Sequence, residues 1–213
     1  MKFDRGINKK YRRSIDAAFQ TILDKGDDHH RLVLNEIIDS RMLVQVRPVG
    51  ETNASGRTGL TSVIRTNARM ALERLSLHDA MDQVYIVIAE ETIDSGGQRG
   101  CEGTFVHEGQ HAYDFAQTIE SLSNADINPI GVFNPNLYEL EWAAHKTAGN
   151  YLLCINEQEY IDEGLELMIL NRAADGTCFV DDDGIRRRLR DSYGLALDGN
   201  LGALASEMMG IMV

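Results

Sequence analysis

The stretch His107-Glu108-Gly109-Gln110-His111 carries the pattern H-E-x-x-H. On a helix, His107 and His111 are four residues apart and lie one above the other on the same face. Both imidazoles can then bind one metal ion, and Glu108 can act as a general base towards water at that ion. The pattern predicts a zinc site, and two hydrogen-bonded core histidines are the alternative.

The segments that precede the pattern place it on a helix. Residues 84–88, Val-Tyr-Ile-Val-Ile, are β-branched and aromatic and predict a strand. Residues 94–103 contain four glycines but no phosphate-binding spacing, so they predict a flexible loop. Apolar residues at helical spacing then predict a helix from about Thr104 to Leu122. Cys101 as a nucleophile beside His107 is a weaker alternative, because nothing supplies an orienting third group.

A catalytic zinc site needs a third protein ligand. Residues 134–136, Asn-Pro-Asn, predict the start of a second helix capped by Asn134. Glu139 and Glu141 on this helix lie about 200° apart, so only one can face the metal. Glu141 shares its face with inward-looking residues and is the predicted ligand. His145 on the same face is an alternative third ligand. If there is no metal site, Glu139 and Glu141 are both solvated surface charges.

These two helices resemble the active-site helices of the gluzincin zinc metallopeptidases, which have a thermolysin-like core. The H-E-x-x-H pattern matches the first helix and Glu141 matches the glutamate of the second. The resemblance covers residues 84–153, about a third of the chain. It implies an α+β, zincin-like metallopeptidase domain in which a small mixed sheet packs on several helices, including two consecutive active-site helices. With 213 residues, a single domain over residues 1–213 is expected.

The resemblance also implies a function. It predicts one Zn²⁺ ion, a peptide or protein substrate, and Glu108 as the base that moves a proton from water to the leaving amine. The strand at 84–88 would pair at its edge with an extended peptide. Two other functions stay open: a zinc-binding module that is catalytically silent and acts by contacting a partner, and a zinc hydrolase that acts on a non-protein amide.

The second helix departs from the gluzincin pattern at His145, where many members place an aspartate that orients a ligand histidine. Asp114, on nearly the same face as His111, is the predicted substitute for that aspartate. A hydrogen bond to the developing oxyanion could come from His145, Tyr138 or Tyr151.

The composition of the chain limits the classes of partner that it is expected to bind. Hydrophobic residues make up 43% and charged residues 25% of the chain, as in an ordinary globular protein. The net charge of -12 argues against nucleic-acid and anionic-membrane binding, and suggests that basic or neutral peptides are tolerated better than acidic ones. The oligomeric state is not predicted. Three cysteines without disulfide-framework spacing fit a reducing compartment. With no signal-peptide pattern, a cytoplasmic location is expected, and export by a specialised route is the alternative.

Local patterns predict the remaining elements. Lys9–Lys25 is predicted to be an amphipathic helix and Met42–Val46 a strand. Residues 27–30, Asp-Asp-His-His, predict a loop or a helix start capped by Asp rather than a metal site. The turn residues of 50–59 predict a surface loop, which could form part of a substrate rim. A further strand is predicted from Leu60 to Arg65.

Overall fold

The computed structural model describes residues 1–212, and the chain forms a mixed α+β fold. The helices are α1 (Lys9–Lys25), α2 (Asp28–Asp39), α3 (Val49–Thr52), α4 (Val63–Leu72), α5 (Leu77–Met81), α6 (Glu90–Ser123), α7 (Leu137–Ile155), α8 (Gln158–Glu166), α9 (Asp182–Arg188) and α10 (Ala205–Met208). The strands are β1 (Lys2–Phe3), β2 (Leu43–Arg47), β3 (Gly56–Leu60), β4 (Val84–Ala89), β5 (Leu170–Arg172) and β6 (Cys178–Val180). A 3₁₀ turn spans Pro129–Gly131, and a π-helical turn spans Leu189–Tyr193.

The main sheet has four strands in the order β1-β2-β4-β3. β1, β2 and β4 run parallel, whereas β3 runs antiparallel to β4, with Gly56 opposite Ile88 and Leu60 opposite Val84. β4 therefore has a neighbour on each side. The prediction that residues 84–88 offer a free edge to a peptide is wrong, because β3 occupies that edge.

The edge strand β3 lies where the sequence predicts a surface loop. The strand formed by Gly56–Leu60 contains two glycines, which disfavour strands, so the ladder with β4 stabilises it rather than local propensity. The strand predicted from Leu60 to Arg65 is also wrong, because β3 ends at Leu60. Ser62 then accepts a hydrogen bond from the N–H of Arg65 and caps α4.

The long helix α6 begins earlier than predicted. It bends at Gly97, whose φ of 56° and ψ of -133° interrupt an otherwise helical backbone. The prediction of a flexible loop at 94–103 is therefore wrong, since the segment is helical on both sides of Gly97. Cys101 and Glu102 within it are fully buried, so tertiary packing outweighs the low helix propensity of its glycines.

Helices α1 and α2 pack on α6 and confirm their predicted features. α1 has the predicted bounds, and its Phe19 meets Phe105 of α6 edge to face at 4.5 Å between ring centroids. Asp27 caps α2, accepting a hydrogen bond from the N–H of His30. A Cβ on Gly109 would lie 3.3 Å from Cδ1 of Ile37, so the glycine in the motif allows the close approach of α2.

The second site helix, α7, begins two residues later than predicted. Its N-cap is Asn136, which accepts a hydrogen bond from the N–H of Glu139. The side chain of Asn134 instead donates to the hydroxyl of Ser206. The three cysteines are free. Within residues 1–212, none of the helices has the length and apolar character that crossing a membrane requires.

Candidate metal centre

Three side chains from α6 and α7 converge on one point. Nε2 of His107 lies 3.2 Å from Nε2 of His111, and the two nitrogens lie 3.5 Å from Oε2 and Oε1 of Glu141 respectively. A tetrahedral ion with bonds of about 2.1 Å separates its ligand atoms by roughly 3.4 Å. The three distances agree with that spacing to within about 0.2 Å, so the three residues could form one face of a tetrahedral metal site.

The choice between the two glutamates of α7 follows from their surroundings. The Glu141 side chain is 13% exposed and faces both imidazoles. Glu139 is exposed, and its carboxylate accepts a hydrogen bond from the N–H of Asn136 in the first turn of the helix. Glu139 therefore caps α7, while Glu141 points into the site.

Opposite charges in the cluster shift each other's pKa values, and two of its buried polar atoms have no hydrogen-bond partner. Burial opposes ionisation of Glu141, but His107 and His111 outweigh it and hold the pKa of this carboxyl well below its usual range. Burial likewise disfavours the imidazolium of His111, yet the Glu141 carboxylate raises its pKa. Oε2 of Glu141 and Nε2 of His145 are buried without a hydrogen-bond partner. A cation between these groups would satisfy what the protein atoms leave unpaired.

Glu108 is held beside the three ligands by the edge strand. Its side chain is buried, and the hydroxyl of Thr58 on β3 lies 2.7 Å from its Oε2. Gly56 makes this approach feasible, because a Cβ there would lie 2.8 Å from Cγ of Glu108 and 2.5 Å from Cγ2 of Thr104. No sequence pattern predicts Thr58 or Gly56 as a residue of the site. Gly56 and Gly59 are the feature of this segment that indicates the close approach of another element to the strand.

Two cavities open on either side of the cluster, with volumes of about 550 and 530 Å³. His107, Glu108 and Tyr193 line both of them. The larger cavity extends along α6 towards Arg99, and the smaller one extends along β3 and includes His111 and Glu141. The cluster therefore lies in a cleft that could receive an extended molecule on both sides.

Tyr193 lies where the two cavities meet, and its place in the site is not predicted from the sequence. Its ring meets that of His145 edge to face, with centroids 5.8 Å apart. Partial desolvation of the phenol in the cleft and the nearby charge of Glu141 raise its pKa to about 12. The hydroxyl therefore keeps its proton at neutral pH and can donate a hydrogen bond. No motif marks this residue, because the π-helical turn brings it to the site from a distant part of the chain.

His145 is the one predicted oxyanion partner that the structure brings to the cluster with an unpartnered nitrogen. Its Nε2 lies 3.9 Å from Oε2 of Glu141, and its ring centroid lies 4.9 Å from that of His107. Burial, reinforced by the charge of His107, lowers the pKa of His145 to about 3. The imidazole is therefore neutral at physiological pH.

The two predicted tyrosines are placed differently. The hydroxyl of Tyr151 donates to Oε2 of Glu102 at 2.7 Å, so its ring lines the larger cavity while its polar atom is engaged elsewhere. Tyr160 donates to the same carboxylate at 3.0 Å. Tyr138 is buried and lines a separate cavity of about 470 Å³, together with Trp142. The hydroxyls of the two predicted residues, Tyr138 and Tyr151, are therefore not directed at the three ligand atoms.

Asp114, the predicted partner of His111, makes its hydrogen bond to another residue. Its Oδ1 accepts from Nε2 of Gln110 at 2.9 Å. Its charge nevertheless raises the pKa of His111, which shows that the two side chains are close. Burial raises the pKa of Asp114 itself to about 6. The orienting role of Asp114 stays a prediction.

Two alternatives lose their basis in the geometry. Cys101 is fully buried, and burial together with the charge of Glu102 raises the pKa of its thiol to about 12, which argues against a nucleophile. Asp27, His30 and Cys154 also lie together. There, however, both ring nitrogens of His30 are engaged. Nδ1 accepts from the N–H of Asp27 in the capping box of α2, and Nε2 donates to the Thr147 carbonyl on α7.

The site thus contains three convergent ligand atoms, a buried carboxylate beside them, and two hydrogen-bonding side chains, Tyr193 and His145, at the edge of a two-sided cleft. This arrangement can bind a divalent cation and move a proton next to it. Comparisons with protein-family models, with curated proteins and with solved structures found no match to this chain.

Proposed function

We propose that this chain is a zinc-dependent metallopeptidase in which His107, His111 and Glu141 hold one Zn²⁺ ion. The observation that carries the proposal is the tetrahedral spacing of the three ligand atoms, 3.2, 3.5 and 3.5 Å, with Glu108 adjacent. Two imidazoles and one carboxylate leave one position open, which is typical of catalytic rather than structural zinc sites. The zincin-like character of the fold, with two active-site helices beside a small mixed sheet, belongs to the same proposal.

Zinc, when bound, supplies a Lewis acid that polarises a carbonyl group and lowers the pKa of water towards about 7. Glu108 accepts a proton from the attacking water and delivers it to the leaving nitrogen. Thr58 uses its hydroxyl to fix one oxygen of that carboxylate. Tyr193 and His145 offer hydrogen bonds to the oxygen on which negative charge develops.

The free edge of β3 is the proposed binding surface for an extended peptide. Gly56–Leu60 lines the smaller cavity along its length, and β3 is the last strand of the sheet on this side. An added strand would pair through backbone hydrogen bonds, which read little sequence. The Thr58 side chain on the same strand would couple the bound peptide to the position of Glu108.

The position of Glu108 favours a peptidase over a silent zinc-binding module. A module that acts only by contact has no need for a buried carboxylate beside its metal, whereas hydrolysis requires one. The cleft also fits a non-protein amide, so that substrate class stays the second candidate. A cytoplasmic location is part of this proposal, and the free state of the three cysteines agrees with a reducing compartment.

Metal analysis followed by digestion of a broad peptide library tests the proposal. We expect one zinc per chain in purified protein, and cleavage that stops with chelator and returns with added zinc. Absence of stoichiometric zinc contradicts the site. Stoichiometric zinc without cleavage of any peptide contradicts the peptidase, and points to the silent module or to a non-protein amide as substrate.

A further inference from the structure

Arg188 is distinguished from its neighbours by the absence of an acidic partner. Arg186 pairs with Asp183 at 2.7 Å, and Arg190 pairs with Asp191 at 3.0 Å. Arg187 pairs with Asp181 at 3.5 Å. Within residues 1–212, no carboxylate lies within 4.0 Å of the Arg188 guanidinium, although the net charge of the chain is -12.

The unpaired side chain of Arg188 lines the larger of the two site cavities. Its Nε is buried and has no hydrogen-bond partner, and its Nη1 makes only a long contact, 3.5 Å, with the Leu167 carbonyl. A guanidinium has five N–H donors, so most of its hydrogen-bonding capacity remains even with this contact and a hydrogen bond to the Tyr193 hydroxyl. Arg188, His145 and Tyr193 line the same cavity, which places the guanidinium beside the candidate metal centre.

The other charged groups around this cavity do not neutralise the positive charge of Arg188. Arg99 and Glu163 line it as well, but they face each other at 3.6 Å, and Arg99 also pairs with Glu159 at 2.7 Å. Glu108 lies at the metal end of the cavity, where the proposed zinc ion opposes its charge. Arg188 is therefore the cation that a bound molecule can neutralise.

We propose that Arg188 makes the larger cavity a carboxylate-binding subsite, so that the protein prefers peptides that place a carboxylate there. This inference rests on the proposed peptidase function. A planar guanidinium binds a carboxylate through two parallel hydrogen bonds, and burial strengthens them. The carboxylate could be an aspartate or glutamate side chain, or the C-terminus of the peptide. The local charge thus opposes the preference for basic or neutral peptides that the net charge suggests.

Matched peptides test this preference in cleavage assays. One parent sequence carries Glu, Gln or Lys at each of three positions on either side of the cleaved bond, and each peptide is made with a free C-terminus and with a C-terminal amide. We expect kcat/KM for one Glu peptide to exceed that of its Gln partner by roughly 10- to 100-fold. A preference for free acid over amide, without a Glu preference, identifies the C-terminus as the source.

Substitutions assign the effect to Arg188. In Arg188→Gln the preference for the carboxylate peptide over its neutral partner, whether Glu over Gln or free acid over amide, should fall to a ratio of about one. In Arg188→Glu the Lys peptide should become the preferred substrate. Arg190→Gln removes a neighbouring positive charge that does not line the cavity, and should keep the original ratio. A ratio that is unchanged in Arg188→Gln, or lost equally in Arg190→Gln, overturns the inference.

A binding measurement separates this inference from the peptidase proposal. Calorimetry with the zinc-loaded Glu108→Gln variant compares the same Glu, Gln and C-terminal amide peptides without turnover. Tighter binding of the carboxylate peptides, together with no cleavage by the unmodified protein, means that the peptidase proposal fails while the subsite stands. Equal affinities for all peptides, or binding of none, overturn the subsite whatever the cleavage assays show.

Discussion

The hydroxyl of Thr58 donates a hydrogen bond to the carboxylate of Glu108 across 2.7 Å, joining the edge strand to the motif helix. The same hydroxyl lies 3.1 Å from the backbone carbonyl of Glu108. The proposed catalytic base is therefore held by a residue fifty positions earlier in the chain. Since an extended peptide would also bind at this strand, one element positions both the base and its substrate.

Replacing Thr58 should impair turnover without removing the metal. Thr58→Val keeps the side-chain shape but leaves Oε2 of Glu108 without its donor, so we expect kcat to fall roughly 3- to 10-fold. Thr58→Ser restores the hydroxyl and should recover most of the rate. Zinc content should be normal in both variants. A serine variant as slow as the valine variant would assign the effect to packing instead.

Gly56 should not tolerate even a methyl group. An alanine Cβ there would lie 2.5 Å from Cγ2 of Thr104 and 2.8 Å from Cγ of Glu108, so β3 or the base must move. Gly56→Ala should lower the free energy of unfolding by about 1–3 kcal/mol and reduce turnover more than zinc content. Gly50→Ala, with open space around its Cβ, is the control in denaturant titrations and rate assays. Equal behaviour of the two variants contradicts the close approach.

Glu141 and Glu139 should differ sharply in their effect on metal binding. Glu141→Ala removes one of three ligands, and we expect zinc affinity to fall by at least about 100-fold, since changes to outer partners alone cost 10- to 100-fold. Glu139→Gln keeps an oxygen that can accept from the N–H of Asn136, and should bind zinc normally. Competition with a chelator of known affinity measures both. Normal zinc affinity in Glu141→Ala would remove this residue from the site.

Glu108→Gln should separate metal binding from chemistry. The amide keeps the size of the side chain but cannot accept a proton from water, so we expect kcat to fall by about 10²- to 10⁴-fold. Zinc content should stay at one per chain, because Glu108 is not among the three ligands. Zinc analysis and peptide cleavage on the same preparation decide the result. Turnover at the normal rate would exclude Glu108 as the base.

Asp114 should make the metal-free protein less stable as the pH rises. Burial raises its folded-state pKa to about 6 from 3.8, so the folded state holds a proton that the unfolded state has already released. The stability that this proton contributes is complete below about pH 4 and is lost as the pH rises through 6, a change of roughly 3 kcal/mol.

Asp114→Asn isolates that contribution, because the amide stays neutral and can still accept from Gln110. We expect the free energy of unfolding, measured with chelator present between pH 4 and pH 7, to increase in the variant relative to the unmodified protein as the pH rises. Parallel pH profiles for the two proteins would contradict the raised pKa.

Patterns of neighbouring residues in the sequence determined several features of this protein. Helical periodicity gives the bounds of α1, and the Asp27 cap follows from hydrogen bonding within one turn of α2. The four-residue spacing of His107 and His111 places them on one face, whatever the rest of the chain does. The spacing of Glu139 and Glu141 likewise requires that they point in different directions. These inferences depend on interactions between residues close in sequence.

Only the tertiary structure decided what surrounds the motif. The loop predicted at 50–59 contributes the edge strand because β4 pairs with it, and the loop predicted at 94–103 is helical because it is packed into the core. Thr58, Tyr193 and Arg188 reach the cleft from segments far away in sequence, and none stands in a recognisable pattern. The sequence thus determined which residues could bind a metal, since helix geometry is local. Tertiary packing decided the walls of the cleft, since those depend on contacts between distant segments.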